Sequence, residues 1–555
     1  MEMTGGQALA RQLVAEGVSD LFGIPGVQLD WATDALLDVE KDLRYVTPRH
    51  EQATSYMADG YARTSGKEGV CMVVPGPGLL NAMAGLSTAY ACNSPVLCIT
   101  GQIPSHQIGQ GLGMLHEVPG QSQLLNSVTK WNRLARTPQE IPSLVHQAFE
   151  QLRSGRPQPV ALEIPPDVLQ ARADVQLLGA AAASPAAIED KKGIEKAAEL
   201  LRKARFPVIY AGGGVLAARA ADALRQLAET LQAPVVMSDN ARGALSSRHP
   251  LALPHLGGRC VFPHADVVLV IGSRFVDGIG RPTHASDKTQ FIYLNVEARD
   301  MTTPRASGLA IEGDARLGCL ALLERVEGLK APSRSTEVSQ VKAWCDEQIA
   351  FIQPQLSYVQ ALRDAIPEDG ILVNELTQIG YASTFSYPVY SPRTFITPGY
   401  QGTLGYGFAT GLGVALGNPD KAVVSINGDG GFGWNLQELA TAAKYRANLV
   451  TVVFADGAFG NVKRIQSNVF KREIGTNLHN PDFLKLADAF GLNGVRVDSP
   501  DGLGSAVKSA LKAGGPTLIE VQVQAMPGPW HLIHTFSKAP RVAPRTRWAK
   551  SEGRP

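Results

Sequence analysis

Two aspartates, Asp429 and Asp456, stand about 27 residues apart, each just after an apolar run with the look of a strand, residues 422–426 and 449–454. Residues 436–443 between them read as a helix. The unit is then strand, crossover helix, parallel strand, and both carboxylates fall at its ligand end, where the two strands stop. Gly428, Gly430 and Gly431 surround Asp429 and let backbone N–H groups close around an anion at a helix N-terminus. Carboxylates beside a phosphate cradle suit Mg²⁺, which takes oxygen ligands and shares them with a diphosphate. The spacing Gly428-x-Gly430-x-x-Gly433 also admits a nicotinamide site, and a plain tight turn is the third reading. A further carboxylate, Glu51, follows the strand-like residues 43–46 where a helix begins, again at the ligand edge of a sheet. Taken alone it is an ordinary first-turn glutamate that favours the helix dipole.

These groups need a scaffold, and the chain supplies one repeatedly. Residues 5–16 have helical periodicity, 20–23 read as a short buried strand, 52–63 as a helix, 69–74 as a strand, 80–91 as a helix and 95–100 as a strand. Repeated βα units of this kind imply α/β architecture, a parallel sheet covered on both faces. A length of 555 residues suggests about three domains. We place the first at 1–172, a second at 190–330 and a third at 355–535, with a tail at 536–555 that wraps or frays. The second domain has strands at 207–210, 234–237 and 267–271; Pro207 and Pro234 can open a strand but cannot sit at its centre. Its linkers are residues 180–192 and 330–336. With 52 basic and 51 acidic residues, net +1, nothing points to nucleic acid or a membrane surface. No apolar run nears the roughly 18 residues of a membrane span, and no signal pattern opens the chain. The six cysteines (71, 92, 98, 260, 319, 345) show no C-x-x-C spacing and read as reduced core residues of a cytoplasmic protein.

Gly428-Asp-Gly430, with Asp456 about 27 residues on, resembles the signature of thiamine diphosphate (ThDP) enzymes, although Ala455-Asp456 stands where two asparagines are usual. The resemblance implies the Asp429 and Asp456 side chains and the Ala458 carbonyl as Mg²⁺ ligands. Around Glu51, Arg49-His-Glu-Gln-Ala53 leading to Ala58-Asp-Gly-Tyr-Ala-Arg63, then Gly69–Gly78 ending Pro-Gly76-Pro-Gly, resembles the pyrimidine-binding domain of acetolactate synthase-like members. It implies that Glu51 hydrogen-bonds the aminopyrimidine N1′ of the cofactor and promotes loss of the thiazolium C2 proton, with Gly76 also against the cofactor. Pro398–Gly407 looks like the loop beneath the cofactor: the Gly402 carbonyl would accept from the 4′-amino group and Leu404 would wedge the two rings into a bent form. Thr377-Gln378 and the amides of Gly430, Gly431 and Gly460 would approach the diphosphate.

Three residues are expected to face a substrate. Gln28 sits where the related benzaldehyde lyase has an active-site histidine; His116 falls near a phenylalanine-glutamine pair of acetolactate synthase; Ile465 falls where that synthase has a tryptophan tied to larger acceptors. The adjacent histidine pair of pyruvate decarboxylase is absent. Tyr210–Val215 and Glu312–Arg316 resemble segments with which acetolactate synthases hold a non-redox FAD. Leu294-Asn-Val-Glu297 replaces their Ile-Asp-Ile-Asp pattern, so a supporting fold without FAD stands as the alternative. The resemblance covers about residues 3–530. It implies three doubly wound domains, a homodimer or homotetramer with active sites between subunits, and carboligation or decarboxylation of pyruvate or another 2-oxo acid. A lyase or hydrolase on 2-hydroxy ketones or diketones, and a non-catalytic ThDP-binding homologue, are the alternatives.

Overall fold

The computed structural model describes residues 1–276, 280, 281, 283–302, 308–535, 538, 540, 543, 544 and 546. Most of the expected tail, 536–555, lies outside the described residues. Three parallel sheets flanked by helices carry the chain, in agreement with the βα pattern. The chain divides into two compact units. The first takes Met1–Ser184, Gln401–Val497 and Ser509–Gln522; the second takes Pro185–Tyr400, Asp498–Lys508 and the described residues from Val523 on.

In the first unit, the N-terminal sheet runs Arg44–Val46, Asp20–Gly23, Gly69–Val73, Val96–Gly101, Val160–Ile164, Trp131–Leu134, all parallel. Gly69–Val73 and Val96–Gly101 are buried throughout, as strands covered on both faces must be. From Asp20–Gly23 the chain steps to one edge, and from Gly69–Val73 it builds toward the other. The loops leaving those two neighbouring strands therefore diverge and open a crevice at the strands' C-terminal ends. They carry Gln28 and Gly76.

The helix Glu51–Ser65 starts with His50 Nδ1 accepting the Gln52 N–H at 3.1 Å and stops at Gly66, whose φ of 74° is left-handed. It packs against Tyr406–Gly417, which is buried from Tyr406 to Leu416 and so has no polar face. Two glycines set the closeness of that packing. A Cβ at Gly60 would lie 2.4 Å from the Thr410 carbonyl oxygen, and one at Gly413 would lie 2.0 Å from that of Met57. Four parallel strands of the third sheet follow in the order Val423–Gly428, Val450–Ala455, Thr517–Gln522, Asn493–Val497. The helix expected at 436–443 is present as a 3-10 turn Leu436–Glu438 running into a helix Leu439–Lys444, and a separate short helix, Asp429–Phe432, precedes it after a break. The break falls at Asn435, whose side chain turns aside to donate to the Gly405 carbonyl at 2.7 Å.

In the second unit, a six-stranded parallel sheet has the order Ala252–Leu253, Val235–Met237, Pro207–Ala211, Val267–Ile271, Gln290–Asn295, Leu309–Glu312. Pro207 is the first residue of its strand and Pro234 precedes its own. Ile371–Asn374 pairs with Phe395–Ile396 in the same unit. The helix Ser335–Ile349 begins inside the expected second linker. All six cysteines are free and buried. Among the described residues no helix is long and apolar enough to cross a membrane.

Candidate active site

At the crevice of the N-terminal sheet, the structure brings Glu51, Gly76, Gln28 and His116 together around the start of one helix, Pro77–Cys92. Glu51 opens its own helix, and its Oε2 accepts from the Asn81 side chain at 3.0 Å. A Cβ at Gly78 would lie 3.6 Å from Glu51 Oε1, so the carboxylate stands over the first turn of Pro77–Cys92. It is half-buried, and the Asn81 amide leaves it acceptor capacity for another donor. On the other side of that turn, a Cβ at Gly76 would come within 2.3 Å of the His116 carbonyl oxygen. The Gly76 N–H donates to Gln121 Oε1 at 2.9 Å, and Gln121 in turn donates to the fully buried Glu163 at 2.9 Å. Gln28 is bonded to both Leu115 and His116.

Glu51 is delivered by a loop that the third sheet's side of the same unit holds in place. The buried Glu438 accepts the backbone N–H groups of Arg49 and His50, each at 3.0 Å, and the Thr441 hydroxyl. The Tyr445 hydroxyl accepts the Thr47 N–H at 2.7 Å. Burial raises the Glu438 carboxyl above the ordinary glutamate range, against the opposing pull of those donors.

Asp429 and Asp456 lie at the ends of neighbouring parallel strands, as their spacing predicts. Asp429 is nearly fully buried, and three donors meet its carboxylate: the Gly430 N–H at 2.9 Å, the Gly457 N–H at 2.7 Å and the Asn480 side chain at 2.7 Å. A carboxylate offers roughly four acceptor positions, so one stays open for a cation. Asp456 accepts the Ala458 N–H at 3.2 Å, and its Oδ2 lies 2.8 Å from where a Cβ on Gly460 would sit. The loop 456–458 thus joins the two carboxylates. Their oxygen-only donor set, with the Ala458 carbonyl, fits Mg²⁺ and does not fit a softer metal. Gly428 precedes and Gly430 and Gly431 lie within the short helix that Asp429 opens. A Cβ at Gly430 would strike the Phe459 ring at 2.8 Å.

Gly402 has a φ of 56° and Leu404 is 41 % exposed, so Leu404 is not a core residue. Their loop is tied down at Thr403, whose hydroxyl lies 3.0 Å from that of Thr88, and at the Gly405 carbonyl. Gln378 belongs to the second unit, where it donates to the Gln524 carbonyl at 3.2 Å and accepts the Met526 N–H at 2.6 Å. Thr377 there caps the helix Gln378–Ser386. Ile465 is 41 % exposed on the helix Gly460–Phe470, none of whose residues is buried.

In the second unit, the features that suggested a flavin have structural uses. A Cβ at Gly212 would meet the Gly272 carbonyl oxygen at 2.2 Å, and one at Gly214 would meet the Gly272 Cα at 2.7 Å. The glycines therefore serve the contact of two loops. Asp314 caps the helix Ala315–Val326 by accepting the Arg316 and Leu317 N–H groups.

Four residues of the site escaped the sequence reading. Asn81 lay inside a helix already recognised, three residues past Gly78, and a polar residue at that point was its only signal. Asn480 is 51 residues from Asp429 and carries no local signal. Glu438 and Gln121 act through the backbone of distant segments, which no motif marks.

With the geometry established, comparison with known proteins gives the class. The family model of the thiamine pyrophosphate enzyme N-terminal TPP binding domain matches residues 3–124, the central domain 194–323, and the C-terminal TPP binding domain 377–521. The chain belongs to this family of thiamine diphosphate-dependent enzymes, in its carboligase and decarboxylase group. It is 32 % identical to the probable acetolactate synthase large subunit of Methanocaldococcus jannaschii, covering 94 % of this chain and 92 % of the relative. It is 34 % identical to a probable 2-ketoarginine decarboxylase of Pseudomonas aeruginosa, covering 94 % of each chain. Acetolactate synthase isozyme 1 large subunit of Escherichia coli is 30 % identical, again over 94 % of each.

Proposed function

We propose that the protein is a Mg²⁺- and ThDP-dependent enzyme that decarboxylates pyruvate or another 2-oxo acid and joins the remaining acyl unit to a carbonyl acceptor, as an acetolactate synthase does. The observation that carries this reading is Glu51. It is a half-buried carboxylate at the mouth of the first sheet, with one side-chain partner and Gly76, Gln28 and His116 beside it. ThDP, when bound, supplies the electron sink for loss of CO₂ and for making or breaking a carbon–carbon bond. Glu51 holds and moves the proton at the pyrimidine. Asp429, Asp456 and the Ala458 carbonyl hold Mg²⁺; the amides of Gly428, Gly430, Gly431 and Gly460 take the diphosphate; Gly402 and Leu404 orient the rings; Gln28 and His116 serve the substrate side. Residues 1–172, 190–330 and 355–535 are the pyrimidine, central and diphosphate domains.

The working form we infer is a homodimer or homotetramer in which Glu51 of one chain faces the metal end of another. Exposed apolar residues support this at both ends. Val462, Ile465, Val469 and Phe470 lie exposed on the helix Gly460–Phe470, and Leu80 lies exposed next to Asn81, the partner of Glu51, as does Leu115 next to His116. So much apolar surface is covered in a working protein.

The test is direct. Purified protein with ThDP and Mg²⁺ is given a panel of 2-oxo acids, alone and with aldehyde or ketone acceptors, and CO₂ and products are measured. We expect cofactor-dependent CO₂ release and a 2-hydroxy ketone or acid product. Cleavage of 2-hydroxy ketones or diketones with no activity on any 2-oxo acid would overturn the proposal. A second reading, decarboxylation ending in protonation, is favoured by His116, a proton-carrying side chain at the crevice, and by the 34 % identical relative. It predicts CO₂ and aldehyde with no carboligated product.

A further inference from the structure

Gln28 and His116 are 88 positions apart and meet through a hydrogen bond that has only one consistent arrangement. Gln28 is buried, 7 % exposed. Its Nε2 donates to the Leu115 carbonyl at 3.1 Å, and its Oε1 lies 3.0 Å from His116 Nδ1. Turning the amide over would set its oxygen against the Leu115 carbonyl oxygen, two acceptors at hydrogen-bond distance with no proton between them. The amide is therefore oriented by the backbone. An amide oxygen only accepts, so the proton shared with His116 is carried on Nδ1, and in the neutral ring the lone pair is left on Nε2.

The ring's backbone is held just as closely. His116 has a φ of 67°, the left-handed region that a residue with a Cβ adopts at a cost. The turn is closed by the Glu117 N–H donating to the Met114 carbonyl at 2.9 Å and the Met114 N–H donating to Glu117 Oε2 at 2.9 Å. The His116 carbonyl then lies where only a glycine at 76 leaves room, and Gly76 is anchored through Gln121 to the buried Glu163. Segments from three strand ends thus meet at His116, Gln28 on its ring and Gly76 against its carbonyl.

We propose that Gln28 is a positioning residue that holds His116 as its Nδ1–H tautomer, so that Nε2 is the atom through which His116 exchanges protons with a substrate at the Glu51 end of the sheet. Nε2 takes the proton from a substrate hydroxyl or from water, the ring becomes imidazolium, and Nδ1–H still donates to Gln28. The same proton returns from Nε2, so none is lost in the cycle. The carboxylates around the ring are Glu117 in its own turn, Glu51 across the start of Pro77–Cys92, and Glu163 behind Gln121 and Gly76. The substrate part rests on the proposed function; the tautomer does not.

The two parts are tested separately. Holoenzyme, loaded with ThDP and Mg²⁺ and labelled with ¹⁵N at histidine Nδ1, is compared by solid-state NMR with His116→Ala to isolate the His116 signal. We expect a protonated, pyrrole-type Nδ1 at neutral pH, and a mixture of forms in Gln28→Leu. In turnover, Gln28→Leu should lower kcat between about 10- and 100-fold, short of losing a general acid–base group outright, with ThDP affinity within about twofold. Gln28→Glu keeps an acceptor on Nδ1 but sets its other oxygen against the Leu115 carbonyl, so it should recover the tautomer only in part. An unprotonated Nδ1 in the wild type, or a Gln28→Leu enzyme with unchanged signal and unchanged profile, overturns the inference. A protonated Nδ1 in a protein inert toward every 2-oxo acid would uphold the tautomer and sink the proposed function alone.

Discussion

Two carboxylates mark the two ends of the proposed chemistry, and the protein treats them differently. Glu51 is half-buried and bonded by one side-chain amide, from Asn81. Asp429 is nearly fully buried and met by three N–H donors. Those three donors fix the Asp429 carboxylate in place and leave it one acceptor position for a cation. Glu51 keeps acceptor capacity and access to solvent, as a group that passes a proton must. A third carboxylate, Glu438, lies between these cases: it is buried and bonded, yet its task is to hold the Arg49–His50 backbone that delivers Glu51.

The strongest test of the contrast is Glu51→Gln. Loss of a general acid–base group costs about 10²–10⁴-fold, so cofactor C2 proton exchange followed by NMR should nearly vanish while ThDP still binds. Exchange at the wild-type rate would remove Glu51 from proton transfer and erase the distinction from Asp429. Next in size is the pair Asp429→Ala and Asp456→Asn. Asp429→Ala removes a ligand and strands the Gly457 and Asn480 donors, so Mg²⁺-dependent ThDP affinity should fall by at least roughly 10–100-fold. Asp456→Asn keeps an oxygen and should be mild in the same titration. Equal damage from both would show that the three donors on Asp429 carry no special weight.

Ile465→Trp probes the acceptor side, where the proposed chemistry ends. One methylene in an apolar pocket is worth about 1–3 kcal/mol of discrimination. The wild type should discriminate weakly between pyruvate and 2-oxobutyrate in competition, and the indole should move the product ratio toward the larger acid. Strong wild-type preference for 2-oxobutyrate would place selectivity elsewhere.

Glu438→Gln should have the smallest effect, and it is read in the pH dependence of stability. Burial raises the folded-state pKa of Glu438, so its ionisation is disfavoured in the fold. Its contribution relative to a neutral glutamine is present below the unfolded pKa of about 4.3 and is lost as pH rises through the raised value. The Tm of the wild type minus that of the variant should therefore shrink across that window, by on the order of 2 °C. A difference that grows with pH would make Glu438 an anion stabilised by its donors.

The sequence alone determined whatever depends on neighbours along the chain. The strand Asp20–Gly23, the helix beginning at Glu51, the strand Gly69–Val73 and the placement of Asp429 and Asp456 at adjacent strand ends all follow from periodicity, turn residues and βα spacing. The three-residue strands Glu2–Thr4 and Arg172–Asp174 gave no such signal, because a pair so short is made by its partner 172 residues away. The break at Asn435 was equally hidden, since its cause is a carbonyl 30 positions upstream. What only the tertiary structure decided is how each reactive group is held. Asn81 on Glu51, Asn480 on Asp429, Gln28 on His116 and Glu438 on the Arg49–His50 backbone are contacts between side chains and segments that local propensity does not couple. Motifs record which groups stand at a sheet's edge. The protonation and orientation of those groups depend on donors and acceptors arriving from elsewhere in the fold, and those become fixed only when the sheets and helices pack.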